Sequence, residues 1–204
     1  MAELFARARA LAETGRRSVL GITGAPGAGK GTVAEAVLAE LGPAAVIVPM
    51  DGFHLANAEL DRLGLAERKG APETFDAAGY VALLRRLRAG GRGTVYAPRF
   101  HREVEESFAA EIAVPAEVPL VITEGNYLLL DREPWSQVPG LLDECWYLAP
   151  DEELRVRRLI DRHVRHGRTP EQARRWVLRS DERNAGLVAA TSDRADLVVR
   201  GDPG

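Results

Sequence analysis

Runs of consecutive apolar residues alternate along this chain with stretches whose apolar residues recur every three to four positions. Val19–Thr23, Val46–Met50, Leu120–Thr123, Cys145–Leu148 and Leu197–Val199 are short and continuous, which predicts strands buried on both faces. Helical spacing covers 30–41, 76–89, 151–166 and 170–186. In the 76–89 segment Tyr80, Leu83, Leu84 and Leu87 form one stripe, Asp76 can cap its start and Gly90-Gly91 stop it. Acids follow Pro150 where the next helix begins, at Asp151, Glu152 and Glu153. Near the N-terminus Leu4, Phe5, Ala8 and Leu11 interleave with Glu3, Arg7 and Arg9, which predicts an amphipathic helix without the apolar core of a signal peptide. Strand and helix in alternation predict an α/β fold, a parallel sheet with helices on both faces. The stretches 52–75 and 91–118 show neither period; they are polar, rich in Gly and Pro, and predict loops of the kind that carry a substrate site.

Composition narrows this picture. The 204 residues suit one domain, and 46% hydrophobic residues supply its core. No linker or repeat divides the chain. A net charge of −3 argues against a general nucleic-acid-binding surface. No apolar run reaches membrane-spanning length. The single cysteine, Cys145, lies in an apolar run, is expected in the core and excludes an internal disulfide. These features together predict a cytoplasmic location; they leave open a homodimer.

The strand ending at Thr23 runs into Gly24-Ala25-Pro26-Gly27-Ala28-Gly29-Lys30-Gly31-Thr32, and the next helical pattern starts there. Strand, glycine-rich loop and helix are the context of a phosphate-binding loop. Its backbone N–H groups converge on phosphate oxygens, the helix N-terminus adds partial positive charge, and Lys30 adds a full one. Lys30 is expected to stand exposed while the loop is empty. A plain tight turn would not call for the lysine. The usual loop places Ser or Thr directly after the lysine to hold Mg2+; here that position is Gly31 and the hydroxyl comes at Thr32, a variant that resembles the loop of adenylate kinases.

Two further strand ends carry acids. Asp51 follows the second strand, and Glu124 ends the third. Ligands of open α/β sheets bind at the carboxyl ends of strands, so Asp51 would face the loop as a base or metal partner and Glu124 would reach Mg2+. The plainer readings are a turn aspartate before Gly52 and a charge at a strand exit. In Thr94–Arg102, Arg99 could grip a polar or anionic substrate with Tyr96 and His101 beside it; equally, this is a solvated loop paired with Glu103, Glu105 and Glu106. The helix from 151 carries Arg155, Arg158, Arg162 and Arg165 near one face, followed by Gly167 and Arg168, which suggests a lid over about 155–170. Arg155 and Arg165 have Asp151 and Asp161 four residues before them and read as surface ion pairs. Arg162, lacking an acid at that spacing, and then Arg158 are the catalytic candidates. His163 is assigned no catalytic role.

The phosphate loop, Met50-Asp51-Gly52-Phe53-His54, Tyr96 to His101, Thr123-Glu124-Gly125-Asn126-Tyr127 and the Arg158/Arg162 segment, in this order, resemble the phosphoribulokinase/uridine kinase group, over roughly residues 17–200. The group also includes pantothenate kinase and proteins assigned to nucleoside or fructose-transport phosphorylation. The resemblance implies a P-loop three-layer sandwich with a mostly parallel five-stranded sheet. It implies ATP and Mg2+ as cofactors, Asp51 as base, and Thr32, Asp51 and Glu124 near the metal. It places Arg158 and Arg162 in the lid, Phe53, His54, Tyr96, Arg99, His101 and Asn126 at a small-molecule hydroxyl acceptor, and Thr191 to Asp196 along the adenine. The expected activity is transfer of a γ-phosphoryl group to a nucleoside, sugar or pantothenate-like acceptor. The rivals are a nucleoside monophosphate kinase, which the phosphate loop alone would suggest, and a regulatory NTPase, which the absence of an Asn-Lys-x-Asp motif disfavours.

Overall fold

The computed structural model describes residues 1–165 and 167–201; of Arg179 and Ser180 only the backbone is described. Residue 166 of the expected 151–166 helix and lid, and residues 202–204 of the expected domain, lie outside the described residues.

All five expected strands form, and they share one sheet. They are β1 (Ser18–Gly24), β2 (Ala45–Ile47), β5 (Leu120–Gly125), β6 (Glu144–Ala149) and β7 (Leu197–Arg200), in the spatial order β2-β5-β1-β6-β7. Every pairing is parallel. Alternation along the strands divides the core between two faces. Leu20, Ile22, Leu120, Ile122, Trp146 and Leu148 pack under α1 (Ala2–Ala12) and α2 (Lys30–Leu41). Val19, Val121, Cys145 and Tyr147 face the opposite layer, which includes α4 (Ala77–Ala89) and Val188 of α7 (Glu182–Ala189). Helices on both sides explain why the strands read as unbroken apolar runs. Asp76 caps α4 as expected, its carboxylate accepting from Gly79 N at 2.8 Å. Cys145 is buried in the core.

The second strand is shorter than its apolar run. It ends at Ile47, and Met50–Phe53 form a 3₁₀ turn. Within 52–75 a short helix, α3, covers Asn57–Leu63. The expected loop over 91–118 is instead largely an antiparallel hairpin, β3 (Val95–His101) and β4 (Glu106–Val114). Its register shifts between Ala97 and Arg99, around Pro98, because proline cannot donate to the ladder. The hairpin seats on the 3₁₀ turn so closely that a Cβ on Gly52 would lie 2.4 Å from the Pro98 carbonyl oxygen. Only glycine permits that approach.

Both helical segments expected after residue 150 form, and the second carries a π-turn in its middle. α5 (Glu152–Arg165) is followed by α6 (Pro170–Trp176), which opens on a reciprocal capping box between Thr169 and Gln172. A π-turn over Val177–Asp181 then leads into α7.

Candidate active site

The carboxyl ends of β1 and β5 and the turn after β2 converge on a cleft of about 790 Å3. One wall is the glycine loop. Gly27 and Gly29 adopt φ of +83° and +87°, and α2 begins at Lys30. Lys30 does not stand exposed as its sequence position suggested. It is half-buried, and its Nζ donates to the carbonyls of Gly24 at 3.1 Å and Ala25 at 3.2 Å. Burial pushes its pKa down to about 8, against the opposing pull of Glu124 and Asp51. Thr32 and Gly31 line the same wall, and no heavy atom lies within 4 Å of a Cβ built on Gly31. The hydroxyl missing after Lys30 is therefore not excluded by crowding.

Asp51 and Glu124 face this wall. Burial, followed by the Asp51 charge, pushes the Glu124 carboxyl up to about 7. Two carboxylates facing each other beside a phosphate loop, one of them pushed up by burial and its neighbour's charge, form a set that a divalent cation would relieve, and Mg2+ takes few carboxylates when phosphates supply further oxygens. On that ground the residues present fit Mg2+. Polar bonds beneath the site hold the strand ends. The Tyr80 hydroxyl lies 2.6 Å from Thr123 Oγ1, which bonds the Val48 carbonyl at 2.7 Å, and Thr23 Oγ1 donates to Gly125 O at 2.9 Å.

The third wall is helical. Arg158, Arg162, Arg165 and Arg168 line the cleft. Burial lowers the pKa of Arg162, with Arg102 acting in the same sense and Asp181 and Asp51 opposing. Arg165, expected in a surface pair with Asp161, lies along the cleft instead. Arg155 differs more from its expected surface pairing with Asp151. It is 2% exposed, donates to Pro26 O at 2.9 Å and to Glu152 at 2.8 Å, and pairs with Glu182. Its spacing to Asp151 is helical, but α5 starts at Glu152 and points residue 155 inward at the phosphate loop. His163, assigned no role from sequence, contacts Asp181 at 2.9 Å, and the π-turn carries that aspartate into the cleft. Arg168 stacks on Trp176 with its guanidinium carbon 3.9 Å from the ring centre.

The acceptor residues divide. His54 and Asn126 line the cleft. Phe53 packs edge-on against Tyr80, 5.3 Å between ring centres. Tyr96 is exposed on the hairpin, and Arg99 and His101 both engage Glu111, at 3.0 and 2.6 Å. None of these four lines the cleft. The residues interleaved with them do: Phe100 and Arg102, one position on. A strand sends alternate side chains to opposite faces, so a loop reading of 94–102 could not tell the two sets apart. Lys69, Phe75 and Asn184 also line the cleft and carried no sequence signal, as does Glu105, which the sequence suggested only as an ion-pair partner of the loop. Cations outnumber acids in the cleft, although the chain is net negative. The stretch Thr191–Asp196 lies outside that lining; Thr191 is buried and the Asp196 carboxylate accepts from Cys145 N at 2.7 Å.

The phosphoribulokinase / uridine kinase family matches residues 19–203 of this chain. The chain belongs to that family. This kinase is 37% identical over 162 residues to an ATP-dependent kinase-like protein of Aspergillus versicolor, covering 75% of this chain and 94% of the relative. It is 31% identical over 215 residues to the pantothenate kinase of Rhizobium rhizogenes, covering 89% of this chain and 64% of that enzyme. The solved structure of a protein described as a candidate fructose transport system kinase from Silicibacter sp. TM1040 superposes with a TM-score of 0.87 at 34% identity, covering 96% of this chain and 98% of that one. The Rhodobacter spheroides phosphoribulokinase, at 15% identity and a TM-score of 0.64, shares the fold. Membership makes the kinase a phosphotransferase with a hydroxyl acceptor and agrees with a P-loop sandwich. No helix among the described residues is long and apolar enough to cross a membrane.

Proposed function

We propose that this chain is a single-domain, cytoplasmic kinase that transfers the γ-phosphoryl group of ATP to a hydroxyl of a small nucleoside, sugar or pantothenate-like acceptor. The observation that carries the reading is the set of opposed groups in one cleft: Lys30 on the phosphate loop, Asp51 and Glu124 across from it, and Arg158 and Arg162 on the helical wall. Phosphoryl transfer needs positioning and charge compensation more than covalent help from the protein. The loop N–H groups and Lys30 hold the phosphates. Thr32, Asp51 and Glu124 are the residues that would hold Mg2+, which offsets phosphate charge when bound. Asp51 orients the acceptor hydroxyl and takes its proton. Arg158 and Arg162, in a lid spanning about 155–170, offset charge on the transferring group. His54 and Asn126 contact the acceptor.

The test is an ATP-consumption screen of nucleosides, sugars, pantothenate and nucleoside monophosphates. Strong turnover only with nucleoside monophosphates would replace the reading with its closest rival, and slow hydrolysis indifferent to every acceptor would replace it with a regulatory NTPase. On the acceptor found, Asp51→Asn is expected to lower kcat about a hundredfold while leaving ATP binding within a few fold. Near-normal turnover would remove Asp51 as base.

A further inference from the structure

Asp51 does not face the cleft alone. Arg102, the first residue after β3, reaches across the mouth and donates from Nη2 to Asp51 Oδ2 at 3.0 Å. The Arg102 guanidinium lies 6.0 Å from the Phe100 ring centre, and Lys69 Nζ lies 5.2 Å from the same ring. Lys69 has partners of its own, Asn57 Oδ1 at 2.6 Å and the Glu105 carboxylate at 3.5 Å. Arg102 has its carboxylate in the residue that the proposed chemistry needs free. A carboxylate oxygen that accepts from a guanidinium is occupied on the side from which an acceptor hydroxyl would reach it.

Resting on the kinase reading above, we propose that the acceptor is an anionic hydroxyl compound, carrying a carboxylate or phosphate, and that Arg102 selects it by exchanging Asp51 for that anion. The exchange leaves Asp51 free at the moment the hydroxyl arrives. The new bond is then acceptor oxygen to γ-phosphorus, the broken bond is γ-phosphorus to the β–γ bridging oxygen, and the acceptor proton passes to the Asp51 carboxylate. The geometry limits the acceptor's size. Arg102 and Asp51 touch, and hydrogen bonds reach about 2.8 Å, so with Arg102 kept near its present position the hydroxyl and the anion stand about 8–9 Å apart or less on one small molecule. A nucleoside offers no anion at that reach. Phe100, between the two cations, supplies an apolar floor for the carbon chain. Arg102 is a surface residue of the hairpin turn, its side chain 43% exposed, so its replacement leaves the fold in place.

The experiment measures kcat/KM with matched acceptors that differ in the anion alone: pantothenate against panthenol, gluconate against glucose, fructose 6-phosphate against fructose, with uridine as a further neutral acceptor. The expected result is a preference of tenfold or more for the anionic member of the productive pair. That ratio falls to within about twofold in Arg102→Gln and is largely restored in Arg102→Lys, which keeps the charge. Which pair responds separates carboxylate from phosphate. Calorimetric titration of the same pairs onto the ADP-loaded protein is expected to show the same preference in Kd and the same loss in Arg102→Gln. Equal efficiency on neutral acceptors, or a preference that survives Arg102→Gln, overturns the proposal and leaves the kinase reading standing. Failure of every acceptor to stimulate ATP consumption in the wild-type protein overturns the kinase reading, and this proposal with it.

Discussion

The two sides of the cleft are built from different material. The phosphate side is backbone: a glycine loop, a helix N-terminus and strand ends fixed by the parallel sheet, with Lys30 folded onto its own loop carbonyls. The opposite side, where the proposed reading puts the acceptor, is side chain: Phe100 and Arg102 from a two-stranded ribbon, Lys69 from the turn after α3, and Asn184 from α7. Backbone geometry recognises what all substrates of a family share, whereas side chains can change one at a time without disturbing the fold. Under the proposed reading, phosphate binding is the fixed part of this site and acceptor choice the variable part.

Substitutions on each side sharpen or break that contrast. The largest effect is expected at Lys30→Ala, which should lower kcat/KM by roughly a hundredfold to a thousandfold for any acceptor, as the loss of a charge clamp does. A defect confined to one acceptor would blur the boundary between the sides. Arg155→Met comes next. It removes a buried cation from Pro26 O, Glu152 and Glu182. Thermal unfolding should register a loss of about 2 kcal/mol, together with a weaker ATP affinity, since Pro26 belongs to the phosphate loop. An unchanged Tm would mean that α5 does not depend on this anchor. On the acceptor side, Phe100→Ala should raise the acceptor KM about fivefold to tenfold and leave the ATP KM alone. His101→Ala, one residue away on the other face of the ribbon, should change either constant by less than about twofold. The reverse order in steady-state kinetics would reject the ribbon's observed register.

The smallest expected effect is a pH signature. In the folded protein Glu124 binds its proton up to about pH 7, well above an unfolded glutamate. Between about pH 4 and 7 the folded chain thus holds more protons than the unfolded one, and this residue's contribution falls as pH rises through that window. Glu124→Gln should raise Tm by about 2–4 °C at pH 8, on the order of 1 kcal/mol, and by almost nothing at pH 4. The modest size reflects the neighbouring Lys30 charge, which loses a partner in the variant. Equal Tm shifts at both pH values would separate the effect from ionisation.

What the amino-acid sequence discloses follows the same division. The sheet was legible because strands buried on both faces leave continuous apolar runs, and the phosphate loop because glycines and a lysine at a strand-helix junction have few other uses. Asp51 and Glu124 could be placed because strand ends define the crevice. The hairpin was not legible: β4 exposes Phe108 through Glu111 and β3 holds a proline, so neither strand shows a clean alternation. Without the alternation, Arg99 and His101 could not be distinguished from Phe100 and Arg102. Arg155 was missed for another reason. Helical spacing finds partners along one helix, and its partners Pro26 and Glu182 lie 129 and 27 residues away in sequence.

The anchored Arg155 has a mechanical consequence. Were α5 to tilt about this anchor, displacement would grow with the lever arm. At 1.5 Å of rise per residue, Arg158 sits about 4–5 Å along the axis from the pivot and Arg162 about 10 Å. A tilt of about 15° would carry Arg162 through nearly 3 Å, enough to make or break a hydrogen bond, while Arg158 shifts by only about 1 Å. Under the proposed lid reading, such a tilt would give two arginines one turn apart on the same helix unequal strokes, small for Arg158 and larger for Arg162.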